Sequence, residues 1–78
     1  MTARMSGYFP RLGGMLRAHR ISVDEVARGA GLTEKSVRRM VNNSGLTLLS
    51  SAVRVAAFLR TRGLDVEVAQ EFAAAESG

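Results

Sequence analysis

Arginine is the residue of this sequence whose side chain offers the clearest chemistry. Ten of the eleven basic residues are arginine, and all eleven lie at or before Arg62. A guanidinium group can donate two parallel hydrogen bonds to a phosphate or to the edge of guanine. Only three acids, Asp24, Glu25 and Glu34, accompany these bases, whereas residues 63–78 contain four acids and no base. A basic body with a short acidic tail predicts a polyanionic partner for the body.

The residue types that most other kinds of site require are missing. There is no cysteine and His19 is the single histidine, which excludes thiolate and histidine-rich metal sites. The sequence has no phosphate-binding loop and no nucleophile–base pair, so we expect no enzyme, no cofactor and no small-molecule ligand. It also has no apolar run near the roughly 18 residues of a membrane span, and no secretory signal. With 78 residues, we expect a single cytoplasmic domain without a membrane partner.

Two short helices in the middle of the chain carry clear start and stop signals. Ser22 and Glu25 form a capping box at the start of the first helix, and Gly31 follows its end. Thr33 is expected to cap the second helix, which spans residues 34–42. The residues expected to face inward from this second helix are Val37, Met40 and Val41.

Three more helices and no strand are expected elsewhere in the chain. Residues 1–10 show no periodicity and are expected to form an N-terminal arm, and residues 11–20 form the first helix. Thr47 is expected to cap a fourth helix, over about residues 48–60.

The C-terminal end is expected to form a fifth helix that Asp65 caps. This helix lies within residues 65–76 and completes a single domain, residues 11–76. The expected fold class is all-α, a compact bundle of about five short helices.

The two central helices satisfy the spacing of a helix-turn-helix, which occupies about residues 22–42. Such a motif needs two short helices and a turn of about four residues that includes glycine. Ala27 is small where the second helix must approach the first. Gly31 lies where the chain must turn through a positive φ, and Leu32 fills the angle between the helices.

These segments resemble the lambda-repressor-like, Xre/Cro-type DNA-binding domains. The resemblance covers about residues 12–72 and includes Ser22-x-x-Glu25-Val26-Ala27, Gly31-Leu32-Thr33 and Val37-x-Arg39. The central segment is also similar to Lac-repressor-type headpieces, but a helix precedes the motif here. Two features depart from the Xre/Cro pattern: residues 20–22 form a shorter connection, and no glycine directly follows Asn42.

The resemblance implies which side chains contact DNA. It places four residues of the second motif helix at base-reading positions: Glu34, Lys35, Ser36 and Arg39. Residues at or near the ends of the motif helices are expected to contact phosphates, because side chains and free amides meet there. This second group consists of Arg28, Thr33, Arg38, Asn42, Asn43 and Thr47.

The expected function is therefore sequence-specific binding of double-stranded DNA by a transcriptional regulator associated with the nucleoid. A repressor of bacterial, phage or plasmid origin, acting by promoter occlusion, is the simplest form. The fifth helix carries spare apolar residues, so we expect a homodimer on a palindromic operator, with Val68, Ala69 and Phe72 at the interface. Two alternatives stay open: a protein-interaction adaptor on the same scaffold, and an accessory factor for phage excision or recombination.

Overall fold

The computed structural model describes residues 6–74 and forms a small helical bundle with a minor sheet. Five helices make up most of it, which confirms the expected fold class. The helices are α1 (Leu12–Ala18), α2 (Val23–Ala30), α3 (Glu34–Asn42), α4 (Leu49–Thr61) and α5 (Val68–Glu71). The strands are β1 (Ser6–Tyr8), β2 (Thr47–Leu48) and β3 (Ala73–Ala74). None of the helices in residues 6–74 is long and apolar enough to cross a membrane.

The two motif helices begin at the caps that the sequence predicts. The Ser22 hydroxyl accepts from the Glu25 backbone N–H at 3.1 Å, and the Glu25 carboxylate accepts from the Ser22 backbone N–H at 3.1 Å. At α3, the Thr33 hydroxyl accepts from the Ser36 backbone N–H at 3.1 Å. Each bond satisfies a backbone donor that the helix itself leaves unpaired.

Four helices end in the same way, with one residue in the left-handed region. The residue after it donates its backbone N–H to a carbonyl five positions earlier, as Leu32 does to Ala27 at 2.8 Å. The left-handed residues are Arg20, Gly31, Asn43 and Gly63. Arg20 takes this conformation without being glycine, which permits the short connection between α1 and α2.

The core lies where α2 packs against both α3 and α4. Val26, Val37 and Val55 contribute one completely buried side chain from each of these helices. The other largest fully buried side chains are Phe9, Leu12, Met40, Leu59 and Val66. The core therefore holds α3 from one side and leaves its opposite face to solvent.

The expectation that the chain forms no strand is wrong. Strand β1 lies between β2 and β3 and is antiparallel to both, with Gly7 opposite Thr47 on one side and Ala74 on the other. In the described part of the expected arm, residues 6–8 thus join the sheet, and Phe9, which follows them, is completely buried. Strands of two or three residues are too short to show an alternating pattern in the sequence. Their formation depends on β1 pairing with β2 and β3, which lie far from it along the chain.

The expected starts of the fourth and fifth helices are also wrong. Thr47 is buried in β2, and Leu48 takes the N-cap position of α4 without a side-chain cap. Asp65 caps no helix, because the chain after it stays extended through buried Val66 until α5 begins. The Arg60 side chain donates to the Val66 carbonyl at 3.0 Å and so holds that extended segment.

Candidate nucleic-acid interface

The outer face of α3 is an exposed polar surface. Lys35, Arg39 and Asn42 lie on the side of the helix opposite buried Val37 and Met40, as helical periodicity requires. All three are exposed. Because these side chains face solvent, a ligand can approach this side of α3.

One acid on each motif helix pairs with an arginine four residues later on the same helix. Arg38 pairs with Glu34 at 3.7 Å, and Arg28 pairs with Asp24 at 3.2 Å, each four residues apart. All four side chains are substantially exposed. Such surface pairs contribute about 0–1 kcal/mol, so a phosphate can displace the carboxylate with little cost.

Five basic residues make no ion pair within residues 6–74, and two of them lie on the outer face of α3. Those two are Lys35 and Arg39. The other three are Arg17, Arg20 and Arg54. The outer face of α3 therefore carries positive charge that no acid of the described chain neutralises.

The first turn of α3 places Ser36 next to its cap. The Thr33 hydroxyl donates to the Ser36 hydroxyl oxygen at 3.0 Å while it accepts from the Ser36 backbone N–H. The Ser36 hydroxyl proton is left free for another acceptor. Thr33 is thus committed to capping, and Ser36 keeps one donor for a ligand.

The loop after α3 lies against the stem of Arg39. A side chain on Gly45 would begin 3.0 Å from Cδ of Arg39, so the backbone of the loop contacts this arginine closely. The Ser44 backbone N–H also donates to the Arg39 carbonyl at 3.2 Å. These contacts hold Arg39 between the helix and the loop.

Arg39 lines two surface depressions. One measures about 490 Å³ and runs along the outer face of α3, where its lining residues are Glu34, Lys35, Arg38, Arg39, Asn42 and Ser44. The other measures about 170 Å³ and lies between α3 and the start of α4. Its lining residues are Ser36, Arg39, Met40, Leu46, Thr47, Leu48 and Ser51.

The structure brings most of the sequence-predicted contact residues to this surface. Every one of them except Thr47 is exposed. Thr47 is only 6% exposed, because its strand pairs with β1, although it still lines the smaller depression. Asn43 is exposed and occupies the left-handed position that ends α3.

The residues predicted for a dimer interface lie at the other end of the chain. Val68 and Phe72 are half-buried and pack against the core, and Ala69 is exposed on α5. Part of the apolar surface expected to be spare is thus already used within the domain. The strand β3, which follows α5, forms one edge of the sheet among residues 6–74.

One ion pair ties the start of α2 to the end of α4. Arg62 donates to Glu25 at 2.9 Å, and the Arg62 guanidinium lies 5.0 Å from the centre of the Phe58 ring. The hydrogen bond from the Ser22 backbone, followed by that from Arg62, holds the pKa of Glu25 below its ordinary value of 4.5. This contact links the first turn of α2 to the end of α4 at the surface of the bundle.

The sequence reasoning missed Gly45 and Leu46. The sequence gives Gly45 no distinct role, because its close approach to Arg39 depends on how the loop folds back. Leu46 is 50% exposed in that loop, the highest value among the exposed large hydrophobic residues Tyr8, Leu46, Leu48 and Val53. That isolated leucine between turn residues is the one signal that could have drawn attention to the loop.

In the described part of the chain, no group of three or more histidine, cysteine, aspartate or glutamate residues could hold a metal ion. Comparison with curated proteins and with solved structures found no significant match to either. The family model described as the Cro/C1-type HTH DNA-binding domain matches residues 11–65, which is most of the chain and includes α1 to α4. The chain therefore belongs to the Cro/C1-type helix-turn-helix DNA-binding domains.

Proposed function

We propose that this domain is a sequence-specific transcriptional regulator that reads the major groove of DNA with α3. The observation that carries the proposal is the outer face of α3, where Lys35 and Arg39 have no acid partner within the described residues. The major groove is about 12 Å wide and admits a single helix. In a helix-turn-helix, the second helix occupies this groove while the first crosses the backbone.

The base-reading assignments follow from donor and acceptor chemistry. Lys35 and Arg39 suit the O6 and N7 acceptors of guanine, and Glu34 can accept from the amino group of cytosine. Ser36 keeps a free donor next to its cap and can serve either kind of base. Glu34 reads a base only after it separates from Arg38, which then becomes free for a phosphate.

The phosphate contacts are proposed at the margins of α3 and α2. Arg28, Arg38, Asn42 and Asn43 are exposed around the base-reading residues. Thr33 can offer its backbone amide at the positive end of the α3 dipole. Thr47 is the weakest of these assignments because its side chain is buried in β2.

A single domain of this size reads too few base pairs to select one site in a genome. We therefore propose a homodimer on a palindromic operator, with the two α3 helices about 34 Å apart. Ala69 and the edge strand β3 are the surfaces that support self-association, joined by the exposed parts of Val68 and Phe72. Such a dimer bound at a promoter would exclude polymerase and so repress transcription. The gene it regulates would be of bacterial, phage or plasmid origin, and DNA binding would localise the protein to the nucleoid.

Selection of sites from random duplex DNA tests the proposal. We expect a two-fold symmetric consensus for the wild type. Arg39→Ala should lose about 1–3 kcal/mol at one or two base positions and keep most non-specific binding. Arg54→Ala is the matched control, since Arg54 is also exposed without an ion pair but lines the groove between α2 and α4. If no duplex sequence is enriched, the proposed function as a transcriptional regulator is wrong, and the alternative function as a protein-interaction adaptor is favoured.

A further inference from the structure

Leu46 is a large apolar side chain that the fold leaves half exposed. It is 50% exposed in the loop between α3 and β2, and Leu48 next to it is 41% exposed. Exposing an apolar side chain wastes the free energy that its burial would contribute, so a ligand that covers it gains that energy. Both leucines line the smaller depression beside α3.

The chemistry of this depression indicates what can cover it. Its seven lining residues include one cation, Arg39, and no acid. Arg39 also lines the larger depression on the outer face of α3, so the two surfaces are continuous through this one side chain. A ligand bound by Arg39 can therefore also cover Leu46 if it tolerates positive charge and presents an apolar group.

DNA presents such a group in the major groove. The C5-methyl group of thymine lies on the groove floor beside the acceptors of its neighbouring base, and apolar side chains contact it. The backbone at Gly45 lies close to the Arg39 stem, and Leu46, the next residue, lines the smaller depression together with Arg39.

We infer that Leu46 is a specificity-determining residue that packs on the C5-methyl group of a thymine adjacent to the base read by Arg39. The inference rests on the proposed function. To the base contacts proposed for α3, it adds a base contact made by a loop residue outside this helix. This contact is apolar and not electrostatic.

Replacing thymidine by deoxyuridine removes this methyl group and nothing else. Each thymine of the selected operator is replaced in turn, and binding is measured for the wild type and Leu46→Ala. We expect one substitution per half-site, next to the base that Arg39→Ala no longer reads, to weaken wild-type binding about fourfold. The same substitution should leave binding by Leu46→Ala unchanged, because that variant no longer contacts the methyl group.

Val53→Ala is the matched control. Val53 is 49% exposed on α4 but does not line the depression, so this variant should keep the full deoxyuridine effect. Thermal melting checks that Leu46→Ala folds, as we expect for a half-exposed loop residue.

The outcomes separate this inference from the proposed function. If the wild type binds no duplex DNA, the proposed function as a transcriptional regulator is wrong. If duplex is bound but no deoxyuridine substitution distinguishes the wild type from Leu46→Ala, only the thymine contact is overturned. If Leu46→Ala changes the monomer–dimer equilibrium and not the deoxyuridine effect, the depression is a self-association surface and the inference is also wrong.

Discussion

At the scale of single residues, the site depends on how the Arg39 side chain is held. An arginine on a helix surface has several rotamers, and fixing one of them on DNA costs conformational entropy. The loop backbone at Gly45 already restricts the stem of Arg39 in the free protein. Because the Arg39 side chain has less freedom before binding, it loses less conformational entropy on DNA. A smaller entropy loss favours tight and selective binding.

Gly45→Ala tests that arrangement. The new methyl group would lie 3.0 Å from Cδ of Arg39, so the flexible side chain must shift while the backbone stays in place. We expect base preference at the position assigned to Arg39 to weaken by about 0.5–1.5 kcal/mol, the cost of an off-rotamer side chain, with melting temperature and non-specific binding nearly unchanged. Binding to a panel of single-base operator variants measures this, with Ser44→Ala as the control. Unaltered preference in Gly45→Ala would show that Arg39 does not need the contact.

The residue scale also shows where sequence reasoning succeeds. Lys35 and Arg39 could be placed on the solvent face because α3 has a clean helical period, and both are exposed. The ion pair between Arg38 and Glu34 was not foreseen, although its spacing of four residues is visible in the sequence. The contribution of Gly45 could not be foreseen, because it depends on the path of the loop after α3.

At the scale of elements, α2 is held against α4 by a close contact. The Phe58 ring lies over Gly29, and a Cβ at Gly29 would overlap this ring. Glycine inside a helix costs about 1 kcal/mol relative to alanine, so the close approach outweighs helix propensity at this position.

Gly29→Ala and Gly14→Ala should therefore change stability in opposite directions. We expect Gly29→Ala to destabilise the fold by about 1–3 kcal/mol, because Phe58 must leave its place. Gly14→Ala should stabilise it by about 0.5–1 kcal/mol, since nothing lies within 4 Å of the new Cβ and the helix gains propensity. Denaturant unfolding measures both. Equal effects of the two substitutions would contradict the packing of α2 on α4.

The Glu25 contacts predict how stability depends on pH. The hydrogen bond from Ser22 and the pair with Arg62 lower the pKa of Glu25 in the folded state, so they stabilise the fold above pH 4.5. This stability is lost as the pH falls through the lowered pKa. Glu25→Gln should melt below the wild type at neutral pH, with the difference shrinking at pH values under 4.5. A difference that is constant across this range would exclude ionisation of Glu25 as its cause.

Elements defined by local signals could be predicted, and those defined by distant contacts could not. Helices α2 and α3 begin after Ser22 and Thr33 as expected, because a cap is formed by residues three positions apart. The three strands depend on pairing between the two ends of the chain and the loop after α3. Helix α5 is shorter than expected because Phe72 turns into β3, which pairs with β1.

At the scale of the whole molecule, the proposed homodimer makes a separate prediction. Ala69→Asp places a charge on the exposed side of α5, where it would be buried without a partner in a dimer. We expect the dimer dissociation constant to rise at least about tenfold, which corresponds to about 1.4 kcal/mol, with folding unaffected. Gln70→Asp adds the same charge one residue away and is the control.

Sedimentation of the free protein and of its DNA complex measures this equilibrium. If the wild type is monomeric at every concentration, both free and on DNA, the proposed homodimer does not form. An equal response of Ala69→Asp and Gln70→Asp would assign the effect to net charge and not to an interface.

The central claim is that α3 binds the major groove and the surrounding cations bind phosphates. Its most direct test is the equilibrium affinity for the selected operator and for a scrambled duplex as salt rises from about 50 to 200 mM. We expect both affinities to fall with a log–log slope of about −0.9 per phosphate contacted, with the operator bound more tightly throughout. Arg38→Ala should reduce the slope by about one for both duplexes. Binding that does not respond to salt, or equal affinity for the two duplexes, would contradict the account.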